Sequence, residues 1–347
     1  MPIYMSSDIF ISVICPVYNE ETYIKLFLDS IIAQDFPHNM MEVFIVDGES
    51  NDNTVNVIKN YCSKYSFIKY MNNIERYQVY AMNIGIKASK GDYIIRLDAH
   101  SVYPINYFSS LVKSALELNA DNIGGICKTV PANVTVVAKC IALVMSHPFG
   151  VGNSMFRIGS NNIIQTDTVP FGCYKRSVFD SIGYFDTELK RNEDDEFNAR
   201  LLKNGGKIFL NPAIVVVYFG RDSLMKMSMM FYQYGFFKPL VNIKNKSLTT
   251  VRQIIPLMFL LFLVFGFLFS FINGFILISY LLIIMIYLIL LFSISFFLAL
   301  KNNSLYMIFL LPITFVMVHL SYGWGYLLGI FSFNILKRKN SFVSITR

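Results

Sequence analysis

At 347 residues the chain is long enough for one large domain or two small ones, and 54% of it is hydrophobic. Its formal net charge is +7, yet no acidic residue follows Asp222, and from about 254 to 333 the sequence is nearly all apolar. This excludes a uniformly soluble chain, and basic residues on both flanks of that block (Lys226, Lys238, Lys244, Lys246, Arg252; then Lys337, Arg338, Lys339, Arg347) point to anionic lipid rather than nucleic acid.

Residues 9–15 read as a first strand. They are too few for a signal peptide, and Pro16 and Asn19-Glu20 follow at once. Residues 20–33 carry Ile24, Phe27, Leu28, Ile31 and Ile32 at helical spacing. A second strand is expected over 41–46, a helix over 53–65, a third strand over 67–71 and a helix over 77–89. The apolar run 93–97 is a fourth strand. Such alternation predicts a parallel sheet with helices on both faces. A helix is expected over 104–118, strands over 124–130 and 208–217, and a long mobile loop over 146–167. The five cysteines are scattered without a Cys-x-x-Cys pair, which suggests reduced thiols in a cytosolic domain and no zinc site.

The apolar block divides into 254–272, 275–300 and 305–333, each long enough to cross a bilayer. Three crossings would set the two basic flanks on opposite sides, against the positive-inside tendency. Pro312, Gly323, Gly325 and Gly329 interrupt the last stretch, so three membrane segments are expected, not all of which need span. The expected division is a catalytic domain over 1–225, an interfacial linker over 226–253, a membrane domain over 254–336 and a basic tail over 337–347.

Four polar clusters lie at expected strand ends or in loops. Pro16-Val17-Tyr18-Asn19-Glu20 follows strand one; it suits a turn and helix start, or offers Tyr18 as a stacking face for a base. Asp47-Gly48-Glu49-Ser50 follows strand two, where an acidic residue is placed to accept hydrogen bonds from a nucleotide. No Gly-x-Gly-x-x-Gly follows strand one, which disfavours a dinucleotide fold. Asp98-Ala99-His100 ends strand four. Residues i and i+2 of extended chain share a side, so Asp98 and His100 can converge on a divalent cation carrying a diphosphate; a helix cap is the plainer account. Glu193-Asp194-Asp195-Glu196 opens a helix. Capping and the macrodipole explain part of such a run, but four acids exceed that need, and crowded carboxylates suit a group that must take up a proton. Arg76, before the third helix, reaches a phosphate or is a surface residue. Gln233-Tyr234-Gly235 closes over a site or begins an interfacial helix. His319, among apolar residues, is as well explained by a structural hydrogen bond as by function.

In this order and spacing the four clusters resemble glycosyltransferase family 2, over residues 11 to about 221. Within it, Arg96-Leu97-Asp98-Ala99-His100, Ser146-His147-Pro148-Phe149-Gly150-Val151-Gly152-Asn153, Asn192-Glu193-Asp194-Asp195-Glu196-Phe197-Asn198 and the late His319-Leu320-x-Tyr322-Gly323-x-Gly325 look like the exopolysaccharide glycosyltransferases of the succinoglycan-biosynthesis type. The resemblance implies an α/β GT-A fold, the Rossmann-like fold of nucleotide-diphospho-sugar transferases, followed by C-terminal transmembrane helices. It also implies a nucleotide-sugar donor, UDP-linked by preference, a divalent cation (Mg2+ or Mn2+) and inversion at the anomeric carbon.

The resemblance puts Pro16, Tyr18 and Glu20 in the nucleotide loop, with Tyr18 on the base. Asp47 takes the base's polar edge and Arg76 helps with the phosphates. Asp98 holds the metal and diphosphate, with His100 beside it. Asp194 is the general base, Asp195 the runner-up in the same acidic motif with Glu193, and Gln233 lies on the acceptor side. Two departures stand out. The family usually has a second Asp where His100 stands, which bears on metal preference. The Gln-x-x-Arg-Trp of processive members is here Gln233-Tyr234-Gly235-Phe236-Phe237. The expectation is therefore a multi-pass enzyme of the cell (inner) membrane with a cytoplasmic catalytic domain. It would add one sugar to a polyprenyl-diphosphate-linked saccharide in surface or extracellular polysaccharide biosynthesis. A processive polysaccharide synthase and a non-catalytic membrane scaffold are the rival readings.

Overall fold

The structure is a computed structural model, and it describes residues 9–248 and 250–338. The part of the expected basic tail beyond Arg338 lies outside the described residues. The chain forms two compact units, one of residues up to 128 with 155–218, the other of 129–154 with 219 onward.

In the first unit β1 (Ile11–Val17), α1 (Ile24–Ile32), β2 (Met41–Asp47), α2 (Thr54–Lys64), β3 (Ile68–Asn72), α3 (Gln78–Ala88) and β4 (Tyr93–Arg96) alternate as the periodicity predicts. The remaining elements up to the second unit's helices are β5 (Ser101–Val102), α4 (Tyr107–Glu117), β6 (Asn122–Val130), α5 (Val136–Met145), α6 (Pro148–Val151), α7 (Met155–Ile158), β7 (Ile164–Gln165), β8 (Cys173–Lys175), α8 (Arg176–Ile182), α9 (Glu193–Lys203) and β9 (Ile208–Phe219). Among the described residues the nine strands form one sheet in the order β3-β2-β1-β4-β8-β6-β9-β5, with β7 on β9.

β1 pairs in parallel with β2 and β4, and β2 with β3. β4 and β6 pair antiparallel with β8, and β5 and β7 antiparallel with β9. The sheet is thus mixed, not the wholly parallel one that the early alternation suggests. The helices continue after β4, but β8 enters between β4 and β6 running against both, so strand–helix alternation does not by itself fix strand direction. β1 and β2 are buried along almost their whole length, as strands covered on both faces are. One core face joins Ile14, Val46, Met82 and Ile94 of the parallel half to Tyr174, Phe179 and Phe197 beside α9.

Boundaries differ where side chains claim the backbone. α1 starts at Ile24 rather than 20, because the amide of Glu20 donates to Thr54 Oγ1 (2.8 Å) and that of Glu21 to Asp52 Oδ2 (3.2 Å). α4 starts at Tyr107, past the turn that Pro104 begins. The expected mobile loop over 146–167 instead holds α6, α7 and β7.

The second unit contains α5, α6, α10 (Leu224–Asn245), α11 (Ile255–Phe269), α12 (Gly274–Lys301), α13 (Met307–Gly329) and a π-helical turn over Ile330–Ile335. The stretch expected as a linker is mostly the 22-residue α10. Three spans, Val251–Phe269, Gly274–Lys301 and Met307–Ile335, are long and apolar enough to cross a membrane. On α12 only Leu291, Ser295 and Ala299 are buried, as on a helix with lipid around most of its surface. α13 packs against α5, α10, α11 and α12. Its glycines, read from sequence as interruptions, are packing sites. A Cβ on Gly325 would strike the carbonyl oxygen of Tyr232 on α10, and one on Gly235 of α10 that of Tyr322 on α13. Small residues let two helix backbones approach in this way.

Residues 147–153 are fastened within this unit. His319 Nε2 donates to the carbonyl oxygen of Phe149 (2.7 Å), and His319 Nδ1 is 3.0 Å from the Tyr287 hydroxyl. The Phe149 ring meets those of Tyr287, Phe315 and His319 edge-on or tilted. Arg252 Nη1 donates to Asn153 Oδ1 (2.9 Å) and to its carbonyl oxygen (3.1 Å).

Gly325→Leu is expected to force α10 and α13 apart and to cost at least about 1–3 kcal/mol, the range for overpacking a tight interior. Thermal unfolding of the detergent-solubilised protein reads this as a lowered midpoint, with Gly325→Ala intermediate.

Candidate active site

The parallel half of the sheet sets the site's geometry. In register, Val17 of β1 lies opposite Asp47 of β2, and Ile14 opposite Arg96 of β4. The residues that follow these strands therefore emerge along one edge, the carboxyl ends where open α/β sheets bind ligands.

The loops after β1 and β2 are stitched together. The amide of Asn19 donates to Ser50 Oγ (2.8 Å), and the amide of Asn51 to Asn19 Oδ1 (2.9 Å). Asp47 is buried, and its carboxylate accepts from the Ser50 amide (3.1 Å) and hydroxyl (2.5 Å). The turn-forming role weighed for this cluster is thus present. Pro16 and Tyr18 beside it are half-buried. Arg76 is exposed and pairs with Glu49 Oε2 through Nη2 at 2.5 Å. Asn19, Glu49 and Arg76 all hold positive φ (52°, 60° and 64°), as do Phe171 (50°) and Asn192 (59°) before β8 and α9. Left-handed backbone at non-glycine residues is costly and gathers where a precise loop shape is needed.

Asp98 and His100 do converge, though not through extended chain: β4 ends at Arg96 and residues 99–100 form a turn. His100 Nδ1 lies 3.0 Å from Asp98 Oδ1 and 3.1 Å from Glu20 Oε1, and its Nε2 is 3.3 Å from the Tyr218 hydroxyl. Glu20, Asp98 and His100 offer ligand atoms all within 4.8 Å of one another, a group that can hold a metal ion. Burial alone would lower the imidazole's pKa. The carboxylate of Asp98, the Tyr218 oxygen and the hydrogen bonds to Asp98 and Glu20 outweigh it and hold His100 well above its ordinary value.

The acidic run forms the first turn of α9. Asn198 fixes this helix: its Oδ1 accepts from Asn122 Nδ2 (3.0 Å) and Tyr174 Oη (3.2 Å), and its Nδ2 donates to Thr168 Oγ1 (2.8 Å). Arg96 Nη2 lies 3.2 Å from Glu193 Oε1, and Nη1 3.2 Å from Asp194 Oδ2. The Asp194 side chain is 33% exposed and that of Glu193 only 4%, so of the two Asp194 is the one a substrate can reach. Asp194 Oδ1 also accepts the Asp195 amide (2.9 Å). One guanidinium cannot neutralise two carboxylates. Burial, with Asp194 adding to it and Arg96 opposing, pushes the Glu193 carboxyl up to about 7. Burial also works against the charge of Arg96, but Asp194 and Glu193 prevail and raise its pKa.

The structure thus gathers Glu20, Asp98 and His100 in one cluster and Glu193 and Asp194 in another, both in the first unit. Gln233 is fully buried on α10, in the second. Two neighbours of the site, Arg96 and Tyr218, carry no role in the sequence reading, while Glu20 of the expected nucleotide loop stands beside Asp98 and His100. Arg96 was a signal in plain view, a cation at the end of a buried apolar strand and in i, i+2 step with Asp98. Tyr218 on β9 gave no local signal, since only the fold brings it to His100.

The model of glycosyl transferase family 2 matches residues 12–183. A dolichyl N-acetyl-α-D-glucosaminyl phosphate 3-β-D-2,3-diacetamido-2,3-dideoxy-β-D-glucuronosyltransferase of Methanococcus voltae is 33% identical over 67% of this chain and 74% of its own length. The succinoglycan biosynthesis protein ExoA of Rhizobium meliloti is 27% identical over 73% of this chain and 77% of its own length. Among solved structures, the mannosyltransferase PcManGT of Pyrobaculum calidifontis, in complex with GDP-Man and Mn2+, superposes with a TM-score of 0.58 at 16% identity, over 92% of this chain and 88% of that one. The TarS 1–349 structure of S. aureus with UDP gives 0.50 at 21%, over 77% and 74%. The Methanococcus relative is 33% identical and covered over 74% of its length, and the fold agrees, so the chain belongs to glycosyl transferase family 2. It is a GT-A-fold glycosyltransferase, with three helices among the described residues long and apolar enough to span a membrane.

Glu193 holds its proton more tightly folded than unfolded. Its contribution to stability is therefore full below its ordinary value of 4.5 and is lost as pH rises through about 7. The wild-type free energy of unfolding should fall relative to that of Glu193→Gln between pH 5 and 8, by on the order of 3 kcal/mol at most, read as a falling difference in midpoint. Parallel midpoints for the two proteins across that range would contradict the raised carboxyl.

Proposed function

We propose that this chain is an inverting, metal-dependent hexosyltransferase that moves one sugar from a UDP-sugar to a saccharide carried on a polyprenyl diphosphate. It works at the cytoplasmic face of the cell membrane, in the biosynthesis of a surface or extracellular polysaccharide. The observation that carries the reading is the pairing of two chemically distinct clusters, Glu20–Asp98–His100 and Glu193–Asp194 with Arg96, in one GT-A unit. The lipid-linked acceptor is supported by the dolichyl-phosphate relative and by the three apolar spans. The polysaccharide context is supported by the succinoglycan relative.

Asp194 accepts the proton of an acceptor hydroxyl. The oxygen attacks the anomeric carbon from the face opposite the diphosphate, the carbon–oxygen bond to phosphate breaks, and the nucleoside diphosphate leaves with the electron pair. Two carboxylates and an imidazole suit a cation with affinity for both oxygen and nitrogen, which favours Mn2+ over Mg2+. When bound at Glu20, Asp98 and His100, such an ion supplies positive charge for the departing diphosphate. Tyr18 stacks on the base, with Pro16 shaping its loop, and Asp47 takes the polar edge. Arg76, released from Glu49, meets the phosphates. Asp195 is the alternative base, and Gln233 is kept on the acceptor side by resemblance alone. The missing Gln-x-x-Arg-Trp favours single addition over processive synthesis.

Asp194→Asn should lower transfer of radiolabel from a panel of UDP-sugars into extracted membrane lipid by about 10²–10⁴-fold, the span of general-base contributions. Binding of UDP should stay near wild type, and undiminished transfer would refute the base. Chelation should stop transfer and Mn2+ should restore it. The product should carry one added sugar; a ladder of long chains would mark a polymerase instead.

A further inference from the structure

Arg96 is the cation that the mechanism above leaves without a task. It ends a strand whose other residues, Tyr93, Ile94 and Ile95, are buried and apolar, and Leu97 after it is fully buried. Its side chain is 13% exposed. Its terminal nitrogens divide between two carboxylates, Glu193 Oε1 and Asp194 Oδ2, each at 3.2 Å. Among the described residues no protein group accepts a hydrogen bond from its buried Nε. A bridge serving stability alone gains little from carrying an unsatisfied buried donor. The guanidinium is thus oriented by its two outer nitrogens.

We propose that Arg96 is the positioning residue for the Asp194 base: one arm of its fork fixes the Asp194 carboxylate toward the acceptor hydroxyl, and the other is locked on Glu193 so that the fork cannot turn away. The proposal rests on the assignment of Asp194 as base. Among the described residues, Asp194 Oδ2 meets Arg96 and Oδ1 accepts from the Asp195 amide. A carboxylate oxygen has two lone pairs, so capacity to take a proton remains after both contacts. Without the arginine the carboxylate keeps its place on the first turn of α9 but is free to rotate about its side-chain bonds. Lysine would supply charge at one point and could not span both carboxylates.

The test uses the full-length protein in detergent, with the same panel of UDP-sugars and extracted membrane lipid. Arg96→Met alone leaves two carboxylates facing each other and is prone to misfold. The decisive variant is therefore Arg96→Met with Glu193→Gln, which removes one cation and one anion together. Relative to Glu193→Gln, itself reduced several-fold, the double variant should lose about 100-fold in kcat, the scale of a misplaced reacting group, with donor KM within about threefold. Arg96→Lys in the Glu193→Gln background should recover about tenfold of that loss. A double variant turning over within threefold of Glu193→Gln overturns the proposal, as does a loss shared equally by kcat and donor KM that lysine does not repair. If Asp194→Asn retains transfer, the base assignment fails. If Asp194→Asn is inactive while the double variant matches Glu193→Gln, the Arg96 proposal fails alone.

Discussion

The parallel register of β1 with β2 and β4 is the constraint on which the site depends. It sets Val17 beside Asp47 and Ile14 beside Arg96, so β1 and β2 end level and β4 ends three residues short of them, all at the same edge of the sheet. A slip of one residue in any pair would turn every side chain of that strand to the other face and scatter the clusters. The register is secured by burial on both faces, where Val13, Ile14, Val43, Ile45, Ile94 and Ile95 are all inaccessible to solvent. The polar residues at the edge make no such contribution. Several of them hold left-handed backbone, a local cost that the buried strands offset.

Charge at this edge is divided between two arrangements of opposite character. Around Glu20 and Asp98 an imidazole supplies the local positive charge, in a place that also suits a metal ion. Around Glu193 and Asp194 a guanidinium supplies it, and that group cannot lose its proton at any working pH. The first arrangement can exchange its cation, whereas the second is permanent. That difference agrees with one cluster meeting a leaving group that comes and goes, and the other holding a base in a fixed pose.

Much of this was legible in the sequence because the parallel half obeys local rules. Period-3.6 apolar spacing marked α1, strand–helix alternation placed α2 and α3, and short apolar runs before Asp47 and Asp98 marked β2 and β4. What stayed hidden was whatever depends on distance along the chain. Arg96 and Glu193 are 97 positions apart, and nothing local tells either that the other is its counter-charge. The antiparallel half was hard to read because β5, β7 and β8 span only two or three residues, too few to show a period. The glycines of α13 looked like breaks because a close approach of two backbones leaves the same mark in a sequence as a weak helix.

The hold of His319 on Phe149 bears on how this chain can be cut and recombined. A truncation at 225 would look sensible on a hydropathy plot, yet it would strip α5 and the 147–153 segment of the helices they pack against. Apolar side chains such as Phe149 would then face water, and the fragment would tend to aggregate however well its sheet folds. Exchange of membrane helices between relatives meets the same obstacle. Residues 129–154 belong with the graft, so a functional chimera needs three crossover points rather than one.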